Sequence, residues 1–246
     1  MKAIGIIPAR FASTRFPGKP LVDIGGKPMV QRVYEQSLKA RLLSEVFVAT
    51  DDKRIYDAVV DFGGQAIMTS EKCANGTERC AEALEHMNSA LTKVVVNIQG
   101  DEPFIQPDDI DNLVSCFIEE SVQISTLVKR FVTAADFENP SRVKAIVDEF
   151  MFALRFTRNL QHPFTIEHPQ VFHHVGLYAF RENILADLVK LKPSANELNE
   201  NLEQLRWLDH AYRIKCVLTS HEAWSVDTPE DLERIQLFLK NLDTPL

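Results

Sequence analysis

The chain has 246 residues, 45% of them hydrophobic, and a formal net charge of -8. That length supports a full buried core, and the acidic balance argues against general nucleic-acid binding, which relies on spread positive charge. Four cysteines, Cys73, Cys80, Cys116 and Cys216, lack the paired spacing of a zinc site and read as ordinary thiols of a reducing, cytoplasmic protein. No apolar run approaches the length of a membrane span, and the start is too short for a signal-peptide core.

Lys2 to Pro8 reads as a buried strand, apolar and ended by proline. The loop after it, through Arg10, Ser13, Arg15, Gly18 and Lys19 to Pro20, is basic. Between Met1 and Pro28 five bases face a single acid, Asp23. A basic loop on an acidic chain, placed after a first strand, suits an anionic ligand such as a triphosphate. It also fits a solvated loop whose cations pair with surface acids. The spacing of a Walker A loop is missing, so P-loop chemistry is not expected.

Met29 to Ala40 reads as a helix, with Val30, Val33, Tyr34 and Leu38 at helical spacing. Glu45 to Thr50 is a strand, and Asp51 or Asp52 caps the helix expected over 54–62, which Gly63-Gly64 stops. Ala66 to Met68 is a short strand. Cys73-Ala74-Asn75-Gly76-Thr77-Glu78-Arg79 supplies a turn and then a helix reaching Met87. Its backbone could read the edge of a base, or it could be a turn with an N-cap.

Val94 to Ile98 is the clearest strand, followed by Gln99-Gly100-Asp101-Glu102-Pro103. A carboxylate just past a buried strand is a common magnesium ligand in nucleotidyl transfer, and also a common turn residue. Pro107 to Ile118 reads as a helix. Strands alternating with helices of about a dozen residues predict an α/β fold with a parallel sheet.

The middle changes character. Ile124–Arg130, Arg142–Val147, Phe152–Thr157 and Val171–Phe180 are strand-like runs without long helices between them, which reads as an antiparallel extension inserted into the α/β core. On the last of these runs His174 and Tyr178 share one face, opposite His173. Adjacent strand histidines point opposite ways, so a zinc pair is not expected there. Glu197 to His210 reads as one helix, on which Glu203 and Gln204 pattern as a solvated face. Ile214–Leu218 is a strand and Pro229 to Leu242 a final helix. Thr228 is a good N-cap for it, and Asp231 completes a capping-box arrangement. Capping leaves Asp227, one residue outside, unexplained.

Taken together and in this order, several of these segments resemble the cytidylyltransferases that activate 3-deoxy-manno-octulosonate (KDO). They are Ile7-Pro8-Ala9-Arg10 through Pro20, Ala49-Thr50-Asp51-Asp52, Gly76-Thr77-Glu78-Arg79, Gln99-Gly100-Asp101-Glu102-Pro103, Asn139-Pro140, His174-Val175-Gly176-Leu177-Tyr178, Leu202-Glu203-Gln204-Leu205-Arg206 and Val226-Asp227-Thr228-Pro229-Glu230-Asp231. The resemblance spans almost the whole chain. It implies a nucleotidyltransferase domain of the glycosyltransferase-A type, with a mostly parallel, Rossmann-type sheet. Residues 124–180 would form an extension serving sugar binding and dimerisation.

The implied reaction is CTP plus KDO giving CMP-KDO and pyrophosphate for lipopolysaccharide synthesis, with Mg2+ and as a homodimer. Related sugar acids, namely an amino-substituted KDO or a sialic acid, and a catalytically silent relative are the alternatives. By matching positions, Arg10, Lys19, Asp101 and Asp227 would be catalytic. Arg10, Ser13, Arg15, Lys19, Asn75, Gly76, Thr77 and Arg79 would bind the nucleotide. Gln99, Arg158, His174, Tyr178, Glu203 and Gln204 would line the sugar pocket. Asp101 and Asp227 would carry the metal.

This chain departs from the family pattern in three places. Cys73-Ala74-Asn75 stands where His-x-Ser is more usual. The residues after Arg158 run Asn159-Leu160-Gln161-His162-Pro163, and Asp209-His210-Ala211 replaces a common Glu-Asn/Tyr-Gly.

Overall fold

The structure is a computed structural model, and it describes residues 2–12, 16–87, 92–160, 164–222 and 224–242. The chain divides into two compact units, residues 1–111 with 222–246 and residues 112–221.

The first unit opens with β1 (Lys2–Ala9), whose interior positions are almost all buried. A 3-10 turn at Lys19–Leu21 follows, entered through Gly18 at φ 72, a left-handed backbone that favours glycine. A side chain there would also meet the Phe11 ring, at 3.1 Å from its Cβ. Then come α1 (Met29–Ser37), β2 (Leu43–Thr50), α2 (Lys53–Asp61), β3 (Ala66–Met68), α3 (Gly76–His86) and β4 (Thr92–Asn97). α4 (Pro107–Ser115) begins in this unit and ends in the second, and a 3-10 turn at Cys116–Ile118 finishes what the sequence presents as one helix.

β1 pairs in parallel with β2 on one side and β4 on the other, and β2 pairs in parallel with β3. The order β3-β2-β1-β4 is the parallel sheet expected from the alternation of elements. Its core is β-branched: Ile4, Ile6, Ile7, Val46, Val48, Val94, Val95 and Val96 have no measurable exposure. Asp52 caps α2 by accepting from the Arg54 N–H, and Gly63 takes φ 82 just beyond that helix.

In the second unit β5 (Ile124–Lys129), α5 (Ala134–Glu138), β6 (Lys144–Val147), β7 (Ala153–Thr157), β8 (Val171–Arg181), α6 (Glu182–Leu188), α7 (Ala195–Glu200), α8 (Gln204–Asp209) and β9 (Ile214–Leu218) follow in turn. β8 is flanked by β5 and β6, antiparallel to both, and β6 pairs antiparallel with β7. β9 runs parallel to β5. The antiparallel extension read from 124–180 therefore lies inside a larger unit that also holds α6 to β9.

The single helix expected over 197–210 is two. Asn201 takes a left-handed conformation at φ 53, ending α7, and α8 starts afresh at Gln204. A capping box between Ser194 and Glu197 starts α7.

α9 (Pro229–Leu242) returns the chain to the first unit. Val226 and Ile235 pack with Ile24 and Met29 in one buried cluster, edged by Phe16, Val22, Phe104, Trp224 and Leu232. The Trp224 and Phe238 rings stack at 4.7 Å, and Phe104 meets Phe238 edge-on at 6.1 Å. Among the described residues no helix is long and apolar enough to cross a membrane.

Candidate active site

In a parallel sheet, ligands meet the carboxyl ends of the strands, where loops and helix N-termini gather. β1 ends at Ala9 and β4 at Asn97, and the residues that follow them come close together. Gly100 lies so near the end of β1 that a Cβ there would sit 3.0 Å from the Pro8 carbonyl oxygen. A side chain there would crowd the β1 backbone, and the close approach brings Asp101 up to the first-strand loop.

There Lys19 meets Asp101. Its Nζ donates to Asp101 Oδ2 at 2.9 Å and to the Val226 carbonyl at 2.8 Å, and lies 3.5 Å from Asp227 Oδ1. The Lys19 side chain is 16% exposed, against 26% for Asp101 and 44% for Asp227. The main chain reinforces the meeting, since the Val226 N–H donates to the Asp101 carbonyl at 2.9 Å. Three residues from the beginning, middle and end of the chain thus share one point of the first unit.

Asp227 is held by the start of α9. Asp231 Oδ2 accepts from the Asp227 N–H at 3.0 Å and the Thr228 N–H at 3.1 Å, while Thr228 Oγ1 accepts from the Asp231 N–H. The capping box read from the sequence does more than start a helix, because it also fixes the backbone of Asp227.

Arg10 donates to the Cys73 carbonyl, which ties the end of β1 to the turn before α3. In that turn Asn75 caps α3 by accepting from the Glu78 N–H at 2.8 Å, and Glu78 accepts from the Ala74 N–H at 2.6 Å. Cys73 is buried and donates its thiol to Glu82 at 2.9 Å. Burial and that carboxylate push the thiol up to about 11. Thr77 is buried, and Gly76 packs on Pro8, 3.1 Å from where its Cβ would be.

Arg79 departs from the expectation of a nucleotide contact. It is wholly buried, and its guanidinium donates to Asp51 at 2.7 Å and to the Thr69 hydroxyl at 2.6 Å. It braces the turn from behind. Ser13 and Arg15 lie outside the described residues. Gln99 lies two residues past the end of β4 and is partly exposed.

The remaining predicted residues lie in the second unit. His174 is buried on β8 with Nε2 3.0 Å from the Thr126 hydroxyl. Burial pushes its pKa down to about 3, so the ring is neutral. Tyr178, one step along the same face, packs edge-on against Trp207 at 5.0 Å, and burial raises its phenol well above the usual range. Gln204 opens α8 with 5% exposure, which corrects the solvated-face reading of its pattern, and Glu203 precedes it, partly exposed.

Arg158 follows the end of β7 with its guanidinium turned to the main chain. It donates to the carbonyls of Glu200 at 2.8 Å, Asn201 at 3.3 Å and Pro140 at 3.4 Å. Two supports for it escaped the sequence reading. Glu200 accepts from the Arg158 N–H at 3.0 Å, and the buried Lys144 donates to the Arg158 carbonyl at 2.9 Å. A lysine inside a short apolar strand was the available signal for the second.

The described residues contain no group of three or more His, Cys, Asp or Glu side chains placed to hold a metal. A site of two carboxylates completed by a ligand's phosphates is a different arrangement, and it is the usual one for magnesium.

A family model described as cytidylyltransferase matches residues 4–219. A 3-deoxy-manno-octulosonate cytidylyltransferase of Parabacteroides distasonis is 47% identical, the match covering 98% of this chain and 99% of the relative. The protein of the same name from Phocaeicola vulgatus is 46% identical over 98% of each chain. Among solved structures, a CMP:2-keto-3-deoxy-manno-octonic acid synthetase complexed with CTP aligns with a TM-score of 0.91 at 38% identity, over 98% of this chain and 100% of the other. A cytidylyltransferase from Leptospira borgpetersenii shares the fold at 16% identity and a TM-score of 0.66, covering 98% of this chain and 87% of its own.

Proposed function

The chain belongs to the cytidylyltransferase family, and from that premise we propose that it transfers CMP from CTP to 3-deoxy-manno-octulosonate, releasing pyrophosphate. The observation that carries this reading is the convergence of Lys19, Asp101 and Asp227 at the carboxyl end of the parallel sheet. The anomeric hydroxyl of the sugar acid forms a bond to the α-phosphorus of CTP. The bond from that phosphorus to the bridging oxygen breaks, and pyrophosphate leaves with the electron pair. The hydroxyl proton passes to solvent.

Magnesium fits the donor set. Asp101 and Asp227 offer hard carboxylate oxygens, and their reach to one ammonium at 2.9 and 3.5 Å puts both within range of a shared cation. When bound there it would polarise the α-phosphate as a Lewis acid. Lys19 and Arg10, with Arg15 beside them in sequence, would steady the triphosphate and the leaving pyrophosphate. The arginines offer forked contacts and the lysine a point charge. Asn75, Gly76 and Thr77 would face the base through backbone groups. Gln99, Arg158, His174, Tyr178, Glu203 and Gln204 are assigned to the sugar acid by their match to the family.

A homodimer belongs to the same proposal. Leu154 on β7 is 61% exposed. Leu198, on α7, is 70% exposed. Apolar surface of this kind supports burial against another subunit.

The test is pyrophosphate release with Mg2+, offering CTP, UTP, ATP and GTP against KDO and a sialic acid. Release with CTP and KDO alone is the expected result. Release with CTP and a different sugar acid keeps the phosphate site and reassigns the sugar pocket. Folded protein that releases pyrophosphate from no pair overturns the reading.

A further inference from the structure

Both carboxylates assigned to the metal are engaged by the same ammonium. Lys19 Nζ, with three donors, faces Asp101 Oδ2 at 2.9 Å, the Val226 carbonyl at 2.8 Å and Asp227 Oδ1 at 3.5 Å. A divalent cation approaching these carboxylates meets charge that is already compensated and a like charge at contact distance. A triphosphate removes both obstacles, because it gives the ammonium new acceptors and gives the metal new ligands.

We propose that Lys19 is the resident counter-ion of the nucleotide-free site, and that its transfer from Asp101 and Asp227 to the incoming triphosphate admits the metal. This rests on the reading of Asp101 and Asp227 as metal ligands, and it adds an order of events to it. The backbone is arranged for such a transfer. Lys19 follows Gly18 in its left-handed turn and precedes the buried Pro20, so the main chain is held while the side chain can swing. Metal and nucleotide then bind cooperatively, each raising the affinity for the other by the same factor. Metal alone binds weakly, and the empty site does not collect free divalent cations.

The experiment measures Mn2+ binding by electron paramagnetic resonance on the nucleotide-free protein. Removing the resident charge in Lys19→Met should tighten Mn2+ binding about tenfold or more, while Lys19→Arg should stay near the wild type. With a CTP analogue whose α–β bridge is a methylene, the wild type should gain Mn2+ affinity, and the gain should shrink in Lys19→Met. In thermal unfolding, Lys19→Met should show a Mn2+-dependent rise in Tm that the wild type lacks.

Adding Asp101→Asn or Asp227→Asn to Lys19→Met separates the two ideas. Tight Mn2+ binding lost with either carboxylate supports both. Binding that needs the carboxylates yet is no tighter in Lys19→Met than in the wild type overturns the counter-ion role alone. Binding indifferent to both carboxylates overturns the metal assignment, and the proposal falls with it. Lys19→Gln replaces Lys19→Met if the latter does not fold. The wild type gives an independent reading: at a Mn2+ concentration that saturates Lys19→Met, the nucleotide-free wild type should bind little Mn2+, and the methylene-bridged analogue should bring it in. Binding by the nucleotide-free wild type equal to that of Lys19→Met overturns the counter-ion role.

Discussion

Arg79 Nη2 donates to the Asp51 carboxylate over 2.7 Å while the arginine side chain is wholly enclosed. The pair joins the end of β2 to the first turn of α3, beneath the turn assigned to the base. Removing the acid leaves an uncompensated buried guanidinium, so Asp51→Ala should cost about 3 kcal/mol of stability. Urea unfolding of the variant measures it, and a loss near zero would show that Thr69 and the Ser70 carbonyl suffice to hold Arg79.

At the phosphate site, Asp101→Ala and Asp227→Ala should each slow pyrophosphate release by about a hundredfold or more with the fold intact. Circular dichroism checks the fold. The main-chain bond between Val226 and Asp101 survives both substitutions, so loss of activity reports the carboxylates themselves.

Asp231 is a positioning residue for Asp227. Asp231→Ala removes the acceptor for the Asp227 and Thr228 N–H groups and should cost about 1 kcal/mol through the lost cap. It should also raise the Mg2+ concentration needed for half-maximal rate. Asp231→Asn, which keeps an acceptor oxygen, should restore most of that shift, an outcome that a general loss of stability would not give.

Stability should depend on pH through His174. Its folded pKa lies near 3, below the ordinary 6.5, so the unfolded chain binds the proton more readily. The contribution is complete above pH 6.5 and is lost as pH falls from there toward 3. At pH 5 the loss from this group is about 2 kcal/mol. Burial lowers His173 in the same direction, to about 4. Urea unfolding at pH 7.5 and pH 5.0 should show a smaller difference between the two conditions for His174→Gln than for the wild type.

Local chemistry was legible wherever a residue acts on its own segment. Asp52 caps α2, Thr228 and Asp231 frame the start of α9, and β3 and β9 fall at the apolar runs read as strands. Meetings across the chain were not. Lys19 and Asp101 are 82 positions apart, and nothing in either segment encodes the other. Periodicity also failed to report which way Arg79 points, because a polar residue in a first helical turn can face a ligand or a buried acid. The break at Asn201 was invisible because residues 197–210 keep a helical spacing on both sides of a single left-handed residue.

The discontinuity of the first unit sets a timetable for synthesis. Residues 112–221 form a continuous stretch that can fold as it leaves the ribosome, but the first unit waits for Val226, Ile235 and the rest of α9 to reach Ile24 and Met29. Lys19 and Asp101 emerge early and acquire Asp227 only then. A chain that stalls before residue 226 therefore carries an incomplete phosphate site and an uncovered apolar face, so the cell meets it as a client for chaperones and proteases.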